Sequence, residues 1–117
     1  MKRSLLVASF LGMVLFFACQ KESITPVSTN VDCSAVTYAG TIAPLIAQNC
    51  SGSACHGSNG REGSLMTYAQ LIRYVNNGEF ERLVIDRQTM PRNGSLTSEE
   101  LGQIQCWLDD GAGALDN

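Results

Sequence analysis

Cysteine placement constrains this chain more than any other feature. There are five, Cys19, Cys33, Cys50, Cys55 and Cys106, against a single histidine, His56. The first stands at the end of an apolar run, Leu5 to Ala18, which follows the short basic start Met1-Lys2-Arg3 and has Ser9 as its polar interruption. A run of that length suits the core of a signal peptide and is short for a membrane span. The leader therefore predicts export. Outside the cytoplasm disulfides persist, so the four cysteines beyond the leader can serve as staples or as attachment points for a group.

The end of the leader, Leu15-Phe16-Phe17-Ala18-Cys19, resembles a bacterial lipobox, with Phe16 where leucine is commonest. The resemblance implies that residues 1–18 are a lipoprotein signal peptide. It also implies that the Cys19 thiol receives a diacylglycerol and becomes the first residue of the mature chain. The expected location is the cell envelope, lipid-anchored to the membrane and facing the periplasm or the cell surface. Residues 19–34 are rich in Ser, Thr, Gln and Asn and lack an apolar period, so they read as a flexible tether. Residues 35–117 are left for one small domain, whose modest core gains from a cofactor or a disulfide.

Loss of Lys2 and Arg3 with the leader leaves six basic against eleven acidic side chains, a net charge of −5. Nucleic acid is not expected as a partner, because that binding needs a basic surface. The charge is uneven along the sequence. Arginines 61, 73, 82, 87 and 92 occupy the middle, and Glu99, Glu100, Asp109, Asp110 and Asp116 crowd the end. Such a distribution reads first as a solvated surface and second as a dipole that orients a partner.

The most informative stretch is Cys50-Ser51-Gly52-Ser53-Ala54-Cys55-His56. Two cysteines followed at once by a histidine are what a c-type haem needs: two thioether bonds and an axial nitrogen. The common spacing has two residues between the cysteines; here there are four. The expanded spacing is usable if the small residues bulge outward, which Gly52 favours. A disulfide pair with a neighbouring surface histidine is the other reading of the same residues. With one histidine, bis-histidine ligation within the chain and multi-histidine metal sites are excluded. A second protein ligand to iron would be a different residue, and methionine is the usual one for electron transfer.

The mature chain has two methionines. Met66, beside Leu65, reads as a core filler. Met90 precedes Pro91 in the loop Gln88-Thr89-Met90-Pro91-Arg92-Asn93-Gly94, and Pro91 biases it toward an extended backbone. Directly after this loop comes a well-marked helix. Thr97 and Glu100 form a capping box, Leu96 and Leu101 take staple positions, Leu101, Ile104 and Leu108 repeat at helical spacing with Trp107 alongside, and Gly111 ends it. Upstream, Ile42, Leu45, Ile46 and Asn49 share a helical face with Pro44 in its first turn, and Thr67 caps a second helix through Tyr68, Leu71, Ile72 and Val75. Phe80, Leu83 and Val84 suggest a short third. The fold class is all-α.

In that order, an apolar helix, Cys…Cys-His, a second helix, Met-Pro, then Leu-Thr-x-Glu-Glu-Leu…Ile…Trp-Leu-x-x-Gly-Ala, the chain from about Tyr38 to Asn117 resembles a small single-haem class I cytochrome c domain of the exported lipoprotein kind. The resemblance implies a cytochrome c-like fold of three to four short helices around one covalent haem c. Cys50 and Cys55 would be the thioether sites, with His56 and Met90 as axial iron ligands. The resembled fold packs its first and last helices together, which implies a Cys33–Cys106 disulfide, worth roughly 4–5 kcal/mol in the chain-entropy account. The implied activity is single-electron transfer to redox partner proteins outside the cytoplasm, without bond-making chemistry, so the protein is expected to be an electron carrier and not an enzyme, unless it serves as a redox enzyme subunit. Three alternatives stand beside this. One is a haem-free interaction lipoprotein with Cys50–Cys55 and Cys33–Cys106 disulfides. Another is a haem sensor in which a small molecule displaces Met90. The third is a four-cysteine zinc or iron–sulfur site, whose spacing fits no standard metal knuckle.

Overall fold

The computed structural model describes residues 24–114, and every regular element among them is helical. The expected signal peptide, residues 1–18, the expected lipid site Cys19 and the first part of the expected tether lie outside the described residues. Helix α1, Ala43–Cys50, continues a π-helical turn at Tyr38–Ile42 and carries Pro44 in its first turn. Helix α2 is Tyr68–Asn76. Helix α3, Glu79–Glu81, runs into a second π-helical turn at Arg82–Asp86. Helix α4, Ser98–Asp109, is the longest. No helix of the described residues is long and apolar enough to cross a membrane.

Local chemistry explains the helix limits. Thr97 Oγ1 accepts from the Glu100 amide at 3.2 Å, and the Glu100 carboxylate accepts from the Thr97 amide at 2.7 Å. This reciprocal capping satisfies two donors that the first turn leaves free. Leu96 and Leu101 flank it, both buried. At the other end Gly111 takes a φ of +83°. The Gly111 amide donates to Leu108 and the Ala112 amide to Trp107, which closes α4 with the paired bonds of a Schellman turn. Helix α2 repeats the scheme, with a Thr67–Gln70 capping box at its start.

One apolar core joins the helices. Ile42, Leu45 and Ile46 from the first helical segment meet Leu71, Phe80, Val84, Leu101, Ile104 and Trp107. Met66 packs partly buried against this cluster. Tyr38 sits edge-on to Tyr68, with ring centroids 5.1 Å apart. The Tyr68 hydroxyl donates to the Ala112 carbonyl, and the Trp107 indole donates to Gly113.

The Cys33–Cys106 disulfide is present, with Cα atoms 5.1 Å apart across 73 residues of sequence. It ties a short 3₁₀ turn, Cys33–Ala35, to α4. With these two sulfurs bonded to each other, a four-cysteine metal site is ruled out. No group of three or more His, Cys, Asp and Glu among the described residues is arranged to hold a metal ion.

The segment from residue 24 to 34 differs from the flexible tether expected over residues 19–34. It lies along α4 as a strap. The Ser28 amide donates to the Ser98 carbonyl at 2.9 Å, and the Ser98 hydroxyl donates to the Pro26 carbonyl. Val27 packs against the core. Gly102 leaves room for the strap: a Cβ there would stand 2.6 Å from the Ser28 carbonyl oxygen and 2.7 Å from Val31 Cγ2. A segment without an apolar period docks here because hydrogen bonds to its backbone and two valines, Val27 and Val31, supply the contacts that a helical face would supply elsewhere.

Candidate functional site

The helices leave a cavity of about 670 Å³ between them. That lies inside the ~300–1,000 Å³ range of cofactor and ligand sites. Its walls are largely apolar: Leu45 and Ile46 from α1, Leu65, Phe80, Leu83 and Val84 from α3 and its continuation, Leu96, and Ile104 from α4. Four residues singled out in the sequence line it together: Cys50, Cys55, His56 and Met90. They come from the last residue of α1, the loop after it, and the loop before α4.

The loop after α1 has a compact internal frame. The Cys55 amide donates to the Gly52 carbonyl at 2.8 Å, the His56 amide to Cys50 at 3.0 Å, and the Leu65 amide to His56 at 3.0 Å. The four residues between the cysteines, Ser51 to Ala54, are all exposed, so the extra length is accommodated outward. Gly52 is not in the left-handed region here. Its contribution is space, because a Cβ would come 3.2 Å from Cys55 Sγ.

His56 is half-buried, and its Nδ1 lies 2.8 Å from the Gly63 carbonyl oxygen. A carbonyl only accepts, so Nδ1 carries the proton and donates. In the neutral ring this leaves Nε2 with its lone pair free. Histidines that ligate metals are commonly oriented this way, with the second nitrogen donating to a backbone carbonyl. The Gly63 carbonyl is a functional group that the sequence did not reveal.

Cys50 and Cys55 carry free thiols. The second disulfide of the haem-free alternative is therefore not formed in this arrangement. Burial, reinforced by the neighbouring Cys55, pushes the Cys50 thiol up to about 11. At neutral pH Cys50 is thus an uncharged thiol on an apolar wall.

Met90 is partly buried against the core and follows the backbone bond from its own amide to the Leu83 carbonyl, 3.3 Å. The peptide between Met90 and Pro91 is cis. Met66 is absent from the cavity wall and lies with the core cluster. The polar rim of the cavity includes Asn49, Glu62, Tyr74, Glu79, Arg92 and Asn93. Arg92 is exposed and is the one arginine on the wall. Asn49 is fixed by donating to the Leu45 carbonyl and to Glu100 Oε1, which ties the rim to the first turn of α4.

The arrangement brings together two thiols, one imidazole nitrogen with a free lone pair and one thioether around an apolar space. Those donors could hold a metal-bearing group with apolar surface. Comparison with protein-family models, with curated proteins and with solved structures returns no match, so the functional reading rests on this geometry and on the sequence.

Proposed function

We propose that residues 35–117 form a cytochrome c-like domain that binds one covalent haem c and carries single electrons outside the cytoplasm. The observation that supports this best is the convergence of Cys50, Cys55, His56 and Met90 on one cavity of about 670 Å³. The fit is chemical as well as spatial. Apolar walls from α1, from α3 with its continuation and from α4 suit a porphyrin, the free Nε2 of His56 suits iron, and Met90 would supply the soft neutral sulfur of a His/Met pair. When bound, the haem iron supplies a one-electron ferric–ferrous couple.

The chain's own residues do the rest. Cys50 and Cys55 contribute the two sulfurs for thioether attachment. His56, oriented by the Gly63 carbonyl, donates Nε2. Met90 would offer a thioether sulfur, a ligand type that favours reduced iron and raises its potential. The apolar walls exclude water, and the exposed Arg92 offers a positive charge at the rim for a carboxylate of the bound group. No side chain is assigned a bond-making role, so the protein acts as a carrier to redox proteins. The leader places it in the envelope, held to a membrane by lipid on Cys19. One acyl chain gives marginal attachment, and the two of a diacylglycerol give stable anchoring.

The test is maturation of the full chain with a c-type assembly system, followed by mass spectrometry. The expected mass is one haem above that of the chain, with Cys50 and Cys55 resistant to alkylation after denaturation. A chain matured under these conditions with no added haem and two alkylatable thiols overturns the proposal.

A further inference from the structure

We infer that Gln88 is a positioning residue for Met90, and that the strap of residues 24–31 acts through it as a brace for the Met90 loop. The inference rests on the proposed His56/Met90 pair, and goes beyond it by making Met90 placement depend on a segment distant in sequence.

Gln88 is two residues before Met90 and has a φ of +49°. A residue other than glycine is uncommon in this left-handed region and is held there by its surroundings. The surroundings are on the strap. The Thr25 amide donates to Gln88 Oε1 at 2.7 Å, and Gln88 Nε2 donates to the Thr25 carbonyl at 2.6 Å. One carboxamide thus pairs with both peptide groups of a single residue 63 positions away. The strap is secured in turn to α4 through Ser28 and Pro26, both bonded to Ser98.

The loop has little else to fix it. Its own backbone bonds are Thr89 to Leu83 at 3.0 Å, Met90 to Leu83 at 3.3 Å, and Gly94 to Pro91 at 3.4 Å. Met90 itself packs against the core, but the strap side of the loop is not filled. A second space of about 90 Å³ lies between strap and loop, with Ile24, Thr25, Gln88 and Met90 on its walls. That is roughly the volume of three waters in the liquid. Met90, packed against the core on one side, is therefore backed by an opening on the strap side, and the polar staple ties the loop across it.

Two substitutions remove the staple from opposite ends. Gln88→Gly deletes the carboxamide yet accepts the positive φ, and Thr25→Pro deletes the donating amide of the strap. In full-length protein matured with haem, each should weaken the near-infrared sulfur-to-iron band. Each should also speed carbon monoxide uptake by the ferrous form about tenfold, equal to ~1.4 kcal/mol at 25 °C. The double variant should add little, because both changes break one contact. In the haem-free full chain, the same variants should raise hydrogen exchange at the Thr89 and Met90 amides. A wild type with the band, and variants that keep it with unchanged carbon monoxide uptake, overturn the brace while leaving the proposed function intact. Unchanged exchange at Thr89 and Met90 in the haem-free variants overturns it whatever the haem content. Failure of the wild type to bind haem overturns the proposed function instead.

Discussion

His56 and Met90 line the same cavity from two loops that are secured by different means. The His56 loop is framed from within: its bonds run among Cys50, Gly52, Cys55, His56, Gly63 and Leu65, none more than nine positions from His56. The Met90 loop is held from without, by Leu83 on one side and by Thr25, 63 positions upstream of Gln88, on the other. A ligand on a short self-bonded loop can take its place as soon as that segment folds. A ligand on a loop held across the molecule takes its place only when the whole domain is assembled. The contrast fits the proposed carrier, in which Cys50, Cys55 and His56 would hold the haem locally and Met90 would complete the site.

The largest expected effect breaks the comparison at the ligands themselves. His56→Ala removes the only imidazole and should abolish most of the holoprotein during maturation, read as loss of haem absorbance per chain. Met90→Ala should leave haem attachment intact, because the thioether sites and His56 are untouched. It should lose the sulfur-to-iron band, lower the potential and bind carbon monoxide readily. Equal loss of haem in both variants would show that the two loops are not separable in this way. Survival of the band in Met90→Ala but not in Met66→Ala would assign the sulfur to the wrong loop.

A second, smaller effect separates the scaffold from the site. The Cys33–Cys106 bond braces the start of the domain against α4, and neither cysteine lines the cavity. Joint replacement, Cys33→Ser with Cys106→Ser, should cost about 4 kcal/mol in the chain-entropy account. For a domain of this size that is on the order of 20 °C in the melting midpoint. The band and the carbon monoxide behaviour of the holoprotein should persist at temperatures where it stays folded. Loss of the band at low temperature would mean that α4 transmits the strain to Met90.

The scaffold was the more legible part of this molecule. Thr97, Glu100 and Gly111 mark the ends of α4 because capping chemistry uses few residue types at fixed offsets, and the structure uses each of them. The face of Ile42, Leu45 and Ile46 is buried as its period predicts. The π-helical turns were not legible, since a widened turn leaves the apolar spacing almost unchanged. The docking of residues 24–34 was missed for a different reason. Ser, Thr and Gln bond through backbone and amide groups that carry no period, and such a stretch reads as a linker. At the site, the cysteines, His56 and Met90 were named from spacing and resemblance, and they line one cavity. The Gly63 carbonyl and Gln88 were not named. A carbonyl belongs to every residue, and a glutamine in the left-handed region has no signature in sequence.

The smallest expected effect concerns the point where the Met90 loop meets α4. The Thr97–Glu100 capping box begins one residue after Leu96, which lines the cavity, so it pins the trailing end of that loop. Thr97→Ala should cost about 1 kcal/mol of stability, measured by denaturant unfolding at pH 7. The cap also predicts an acid response. The Thr97 amide holds the Glu100 carboxyl below its ordinary value of 4.5; burial opposes it as the next largest effect, and the Thr97 hydroxyl and Asn49 add smaller lowering contributions. In the unfolded chain the group takes its proton near that ordinary value; in the folded chain it resists to lower pH. Between the two values the unfolded state binds more protons, so this contribution is complete above the ordinary value and is lost as pH falls through the folded one. Glu100→Gln keeps an oxygen for the Thr97 amide but removes the titration. Its stability relative to wild type should therefore be lowest at neutral pH and recover as the solution is acidified below about pH 4. A constant difference between wild type and Glu100→Gln from pH 7 to pH 3 would show that the capping carboxylate contributes no charge-dependent stability to the far loop.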